Sequence, residues 1–164
     1  MKQLTLIRHA EAEIPSNGID IDRILSTYGS QMAPVIGRRL ERQGLEPDIV
    51  YASPAARAIE TAQIICYEIG FSSEQIHIRD EIYRASVPTL VQLLHDVDEA
   101  KQHLLIFGHN PTLTDFANFL CSNKRISHMS TCGVVKMNLP IEYWALACEA
   151  CAEFIEYDTP ENVS

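Results

Sequence analysis

Short apolar runs that stop abruptly at chemically active residues set the pattern of this chain. In the first, Leu4, Leu6 and Ile7 flank Thr5, and the run ends in Arg8-His9 followed by acids. It reads as a buried strand whose C-terminal end is marked by the Arg-His pair, because a buried strand cannot hold a cation and an imidazole without partners. The arrangement recurs twice. Ile49-Val50-Tyr51-Ala52 precedes Ser53-Pro54-Ala55-Ala56-Arg57, and His103-Leu104-Leu105-Ile106-Phe107 precedes Gly108-His109-Asn110-Pro111. The last run is apolar almost throughout, as a central parallel strand should be.

Helical spacing fills the intervals. One helix is expected after Ser26-Thr27, with Met32, Val35, Ile36 and Leu40 inside and Arg38, Arg39, Glu41 and Arg42 outside. Pro34 should kink it or delay its start, and Gly44 should close it. A second helix should take Ser53 as N-cap and Pro54 as first residue, then run through Ile59, Ala62, Ile65, Cys66 and Ile69 to Gly70. Gln75 to Arg79 alternates like an edge strand, Asp80 to Ala85 is a loop, and Val87 to Val97 is a helix. Gly108 should allow a tight turn, Asn110 should cap, and Pro111 should start a helix carrying Leu113, Phe116, Ala117 and Leu120. Cys132 to Leu139 and Glu153 to Tyr157 read as strands joined by a turn and paired antiparallel at the sheet edge, with a tail from Pro160. The aperiodic stretch after His9, through Asn17-Gly18 and Asp20 to Arg23, is expected to loop over the strand ends. The fold expected is α/β: a three-layer α/β/α sandwich, one domain over residues 1–164, with a mostly parallel central sheet and an antiparallel C-terminal edge.

Composition narrows the partners. The 164 residues suffice for one core, and 13 Lys and Arg against 22 Asp and Glu leave a net charge of −9. Such a surface repels a polyanion, so no nucleic-acid partner is expected. No apolar run reaches the ~18–20 residues of a membrane span, and Met1-Lys2-Gln3 leads directly into a strand, so a cytoplasmic protein without membrane contact is expected. Five cysteines, an odd number, point to free thiols. Cys148 and Cys151 have ligand-like spacing, but a structural zinc site usually has four ligands, and Cys132 and His128 form no second close pair, so no metal is expected.

Strand ends that offer Arg8, His9, Arg57 and His109 suit a phosphoryl group. Guanidinium forks and helix N-termini bind its oxygens; one imidazole attacks phosphorus in line, and the other stabilises the charge of the transferring group. The attacking histidine must be neutral, with its second nitrogen donating, and a backbone carbonyl is the expected acceptor. Neighbouring arginines favour that neutral form. Any one of these residues alone reads as a packed or capping side chain; their joint placement does not.

Leu6-Ile7-Arg8-His9-Ala10-Glu11 resembles the R-H-G signature of the histidine phosphatase superfamily, the phosphoglycerate mutase-like fold. Ser53-Pro54-x-x-Arg57-x-x-x-Thr61-Ala62 is similar to its second motif and Gly108-His109-Asn110 to its third. Asp22-Arg23-x-Leu25, the short length and the Gly133…Trp144 tail look most like the SixA-type phosphohistidine phosphatase branch. The resemblance implies a His9 nucleophile that becomes phosphorylated. It also implies a phosphate pocket of Arg8, Arg57 and His109, with Glu11 and Asn110 as further contacts, and no metal or cofactor. Ala10 departs from the usual Gly, which denies the loop Gly-only conformations.

A second departure bears on substrate. Larger relatives use a Glu as general acid in a loop that falls here around Ile82-Tyr83-Arg84, where no acid stands. Glu81 is the nearest candidate, with Glu11 and Asp22 weaker ones. An alkoxide leaving group needs such a donor, whereas phosphorylated imidazole leaves once protonated on its other nitrogen. A site without an acid therefore favours phosphohistidine, and a carboxylate beside the pocket would weigh against that reading. The chain also has no room for an enclosing helical insertion, so an open pocket able to take a phosphorylated protein is expected. Such a partner would be a phosphocarrier or a histidine-containing phosphotransfer domain, acted on by a monomer or weak dimer. The alternatives are a phosphomonoesterase or phosphoanhydride hydrolase, and a module that binds phosphoproteins without turnover.

Overall fold

In the computed structural model, which describes residues 1–15 and 17–162, six strands form one sheet. They are β1 (Lys2–Arg8), β2 (Ile49–Ala52), β3 (Ile76–Ile78), β4 (His103–Gly108), β5 (Val134–Leu139) and β6 (Glu153–Asp158), in the order β3-β2-β4-β1-β5-β6. The first four in that order run parallel; β5 is antiparallel to β1 and β6 to β5. Alternation splits the central strands between two cores. Leu4, Leu6, Leu104 and Ile106 face α3 (Val87–His95) and α4 (Thr112–Leu120), while Ile7, Leu105 and Phe107 face α1 (Thr27–Arg42) and α2 (Ala56–Ile69). The expected three-layer α/β/α sandwich is the observed architecture. Among the described residues, no helix is long and apolar enough to cross a membrane.

Local departures from the sequence pattern have physical causes. Pro34 neither delays nor ends α1: the helix starts at Thr27, with Ser26 Oγ accepting from Gly29 N at 3.0 Å. The carbonyl that Pro34 leaves unpaired four residues back belongs to Ser30, which is exposed and can be solvated. Within this helix Arg39 is buried rather than outside, because the residues after β6 wrap over it, while Met32 and Val35 are only partly buried. Gly44 and Gly70 close α1 and α2 with φ of +76° and +78°, as expected.

Ser53 and Pro54 stay outside α2, which begins at Ala56, so Ser53 is not its N-cap. Gly108 serves close packing rather than a special turn; a Cβ there would lie 3.3 Å from Ile82 Cγ2. Residues 80–82 form a 3-10 turn, and α3 ends at His95. The strand expected from Cys132 starts at Val134, because Cys132 takes a left-handed φ of 60° to turn its N–H onto the carbonyls of Arg8 and His9. β5 and β6 are joined not by a turn but by residues 140–152. There Trp144 is fully buried and donates Nε1–H to the Lys101 carbonyl at 2.7 Å.

Candidate phosphoryl-transfer site

Three neighbouring strands, β2, β4 and β1, deliver Ser53, His109 and His9 to adjacent positions at their C-terminal ends, where open α/β sheets bind ligands. The backbone after β1 is fixed from two sides. Ala10 N donates to Thr61 Oγ1 at 2.9 Å, and Thr61 Oγ1 donates to the Arg57 carbonyl at 2.7 Å, so α2 and the His9 loop are tied together. Ala10 is fully buried and has no positive φ; the position that is usually Gly takes a conformation alanine tolerates.

His9 is 7% exposed, and its Nδ1 donates to its neighbour Ala10's carbonyl at 2.8 Å. That bond fixes the proton on Nδ1 and the lone pair on Nε2, as the sequence reading required. Arg57, buried in the first turn of α2, donates from Nε to His9 Nε2 at 3.3 Å. Burial chiefly, then the neighbouring His109, Arg57 and Arg8, pushes the His9 pKa down to about 3, although the Ala10 bond works in the opposite direction. The ring is neutral at physiological pH.

His109 faces His9 with ring centroids 5.2 Å apart, and its Nε2 lies 2.7 Å from Ser53 Oγ. Burial chiefly, then Arg57, lowers its pKa to about 4. Arg8 donates from Nη1 to the Met129 carbonyl at 2.9 Å and stands 3.3 Å from His128 Nε2. Asn110 braces the same segment: its Nδ2 donates to the Met129 carbonyl at 2.8 Å and its Oδ1 accepts from Thr114 Oγ1 and N, but the N-cap of α4 is Pro111, not Asn110, and the helix starts at Thr112. Among the described residues, two buried side-chain polar atoms lack any partner, Arg8 Nε and His109 Nδ1. Both belong to this constellation.

The acids fall differently from the sequence expectation. Glu81 accepts from Arg79 Nε at 2.7 Å, and Glu11 accepts from Ser26 Oγ at 2.9 Å, so neither carboxylate is free to reach the pocket as placed. Asp22 accepts from Asn17. The carboxylate at the pocket is Asp20. Arg57 donates to it twice, from Nη1 to its carbonyl at 2.8 Å and from Nη2 to Oδ2 at 3.0 Å, and Tyr83 Oη donates to Oδ2 at 2.6 Å. The expectation of a pocket without a carboxylate is therefore corrected. The Tyr83 hydrogen bond first, opposed by burial and reinforced by Arg57 and Arg23, holds the Asp20 carboxyl well below the usual carboxylate range; it is ionised and a poor proton donor.

Tyr83 stands where the resemblance places an acid, its ring edge-on to His109 at 5.7 Å. Asp20, Tyr83, Ser53 and His128 were thus missing from the sequence-derived site. The loop after His9 carried the signal for Asp20, two residues from the Asp22 singled out there. The segment Ile82-Tyr83-Arg84, where the resemblance places an acid, carried the signal for Tyr83; His128 had none, because only the fold brings its segment to the strand ends. Among the described residues, no group of three His, Cys, Asp or Glu side chains is placed to hold a metal ion, and Cys148 and Cys151 are free thiols.

Known proteins share this frame. The profile of the histidine phosphatase superfamily (branch 1) matches residues 4–114, which contain all three strand-end motifs. An uncharacterized protein of Mycobacterium tuberculosis is 26% identical over 163 residues, covering 94% of this chain and 99% of its own length. Among solved structures, the Nakamurella multipartitia protein assigned as phosphohistidine phosphatase SixA superposes with a TM-score of 0.83 at 26% identity, covering 98% of this chain and 97% of that one. The protein histidine phosphatase SixA complexed with tungstate has the same fold, with a TM-score of 0.83 at 20% identity over 96% of this chain and 97% of that one. With its motifs gathered at one end of a SixA-type sandwich, the chain belongs to the histidine phosphatase superfamily.

Proposed function

We propose that this histidine phosphatase removes phosphate from phosphohistidine on a protein, through a phosphorylated His9. The observation that carries the reading is the convergence of a neutral His9, unprotonated at Nε2 and touched there only by a long 3.3 Å hydrogen bond from Arg57, with two buried nitrogens without protein partners, Arg8 Nε and His109 Nδ1. A phosphoryl group on Nε2 satisfies both. Arg8 and Arg57 supply fixed positive charge for its oxygens. His109 donates from Nδ1 when Ser53 Oγ donates to its Nε2, and so stabilises the charge of the transferring group.

In the first step the Nε2 lone pair forms the new P–N bond as the substrate's P–N bond breaks. The electron pair of the broken bond returns to the substrate imidazole, which leaves neutral because its other nitrogen carries a proton. The new phosphoimidazolium on His9 keeps its Nδ1–H on the Ala10 carbonyl. No proton donor is needed, and this favours phosphohistidine over an ester: Asp20 is held ionised and Glu81 is held by Arg79. The assignment of the Nakamurella multipartitia relative as a phosphohistidine phosphatase supports the same substrate class. A phosphocarrier or phosphotransfer domain is the kind of partner that presents such a group.

The test is hydrolysis of a phosphohistidine-bearing carrier protein in EDTA by wild type and His9→Ala, beside phosphoserine as the ester. Wild type should release phosphate from the carrier with a kcat/KM at least ~10²-fold above that for the ester, the advantage a site without a general acid gives a self-leaving group, and His9→Ala should be inactive. Faster hydrolysis of the ester than of the carrier would assign the enzyme to the phosphomonoesterases instead.

A further inference from the structure

We infer that Asp20 is the general base of the second half-reaction, accepting a proton from the water that attacks phosphorylated His9. The inference rests on the phosphohistidine pathway proposed above and assigns a residue to its hydrolytic step.

The placement of Asp20 is built by three elements. Arg57 of α2 holds its carbonyl and Oδ2, Tyr83, after the 3-10 turn, holds Oδ2 at 2.6 Å, and Arg23 of its own loop stands 3.3 Å from Oδ1. A half-exposed loop carboxylate with this many donors is fixed, not solvated at random. The same guanidinium that fixes it touches the nucleophile: Nε lies 3.3 Å from His9 Nε2 and Nη2 lies 3.0 Å from Asp20 Oδ2. With the width of a guanidinium between those nitrogens, the carboxylate stands at most about 8–9 Å from His9 Nε2. A phosphoryl group on Nε2, an attacking water beyond it and one hydrogen bond from that water span roughly 7–8 Å. That bound leaves room for the span the reaction needs, with the carboxylate and the nucleophile on one guanidinium.

The other carboxylates near this end are committed elsewhere: Glu11 accepts from Ser26, Asp22 from Asn17 and Glu81 from Arg79. His109 is turned toward His9, where the phosphoryl oxygens need it. The charge state is also suited to the role. Arg57 and Tyr83 keep Asp20 ionised in the free pocket. An anionic phosphoryl group beside Arg57 competes for that guanidinium and repels the carboxylate, which raises its proton affinity back toward the ordinary carboxylate range as the base is needed. Asp20 remains ionised near neutrality and so cannot serve as the acid that an ester would require.

The step balances. The water oxygen bonds to phosphorus, the P–Nε2 bond breaks and its electrons return to Nε2, leaving His9 neutral with its proton still on Nδ1. One water proton goes to Asp20, and the other stays on the phosphate released. Asp20 then passes its proton to solvent.

Rapid-quench measurement on a phosphohistidine carrier, with wild type, Asp20→Asn and Tyr83→Phe, tests the assignment. In Asp20→Asn the amide oxygen still accepts from Arg57, so labelling of His9 should keep a rate within a few-fold of wild type. Breakdown should slow by ~10²-fold or more, and phospho-His9 should accumulate to near one per site. Tyr83→Phe should slow breakdown less than Asp20→Asn does. Breakdown at the wild-type rate in Asp20→Asn would overturn the inference. So would an equal loss in both steps, which would make Asp20 only a positioning residue for Arg57. No label on wild-type His9 would instead overturn the underlying pathway, and this assignment with it.

Discussion

Arg39 on α1 and Arg57 on α2 are both buried, on two helices packed against one face of the sheet, yet their surroundings differ in kind. Arg39 is saturated by fixed structure. It donates to the Asp158 carboxylate at 3.3 Å and to the carbonyls of Thr159, Pro160 and Asn162, and so clamps the chain after β6 onto α1. Arg57 spends its donors on the lone pair of a neighbouring imidazole and on a loop residue.

Two histidines repeat the contrast. His103, at the other end of β4, lines a cleft of about 460 Å³ with Thr5 and Lys136, but its Nε2 is paired with Thr5 Oγ1 at 2.9 Å. His109, at the far end of the same strand, keeps Nδ1 without a partner. Burial lowers both pKa values to about 4, so titration alone does not separate them. What separates a structural buried group from a reactive one here is whether its valences are already satisfied by the fold.

The contrast can be broken most forcefully by exchanging losses between the two arginines. Arg57→Ala should lower kcat/KM by ~10²–10³-fold, the scale for one donor to a transition-state anion, with little change in urea midpoint. Arg39→Ala should do the reverse, costing about 1–3 kcal/mol in urea unfolding while the folded enzyme keeps its kcat. Activity loss in Arg39→Ala at full folding would erase the distinction.

Ser53→Ala removes the partner that orients His109 and should lower kcat about tenfold, the worth of one hydrogen bond, in steady-state assays. Acid should separate stability from activity. His9, His103 and His109 have folded pKa values of about 3, 4 and 4 against an ordinary 6.5, so between those limits the unfolded chain binds more protons. The stability they contribute is therefore full above pH 6.5 and falls as the pH drops toward about 4. In kcat/KM for the folded enzyme, by contrast, no acid limb should appear near pH 6.5, because His9 is already neutral there. The smallest effect belongs to Glu81→Gln. Since Arg79 holds that carboxylate, kcat should stay within about twofold of wild type, the scatter of a neutral surface change.

How much of this was legible in the chain follows from range. Leu4 to His9, Ile49 to Arg57 and His103 to Asn110 each carry strand, turn and reactive residue within a few positions, so their placement could be read locally. So could the closing glycines 44 and 70. The position of Arg39 could not: its exposure depends on residues 158–162 returning more than a hundred positions later. The same holds for Asp20, whose partners Arg57 and Tyr83 come from two other elements, and for His128 beside Arg8. Ser53 was misplaced as a helix cap because Ser-Pro before a helical period is the usual capping signal. Here α2 begins later and the hydroxyl serves His109 instead.

The central claim is that the unsatisfied end of this sheet transfers phosphoryl groups through His9. The most direct measurement is to mix the enzyme with a ³²P-phosphohistidine carrier, quench within milliseconds and map the label by peptide mass spectrometry. The account predicts an acid-labile, alkali-stable phosphate on His9 that forms and decays at least as fast as turnover, and none in His9→Ala. Turnover at full rate with no label on His9, or with the label on His109 or His128, would contradict it.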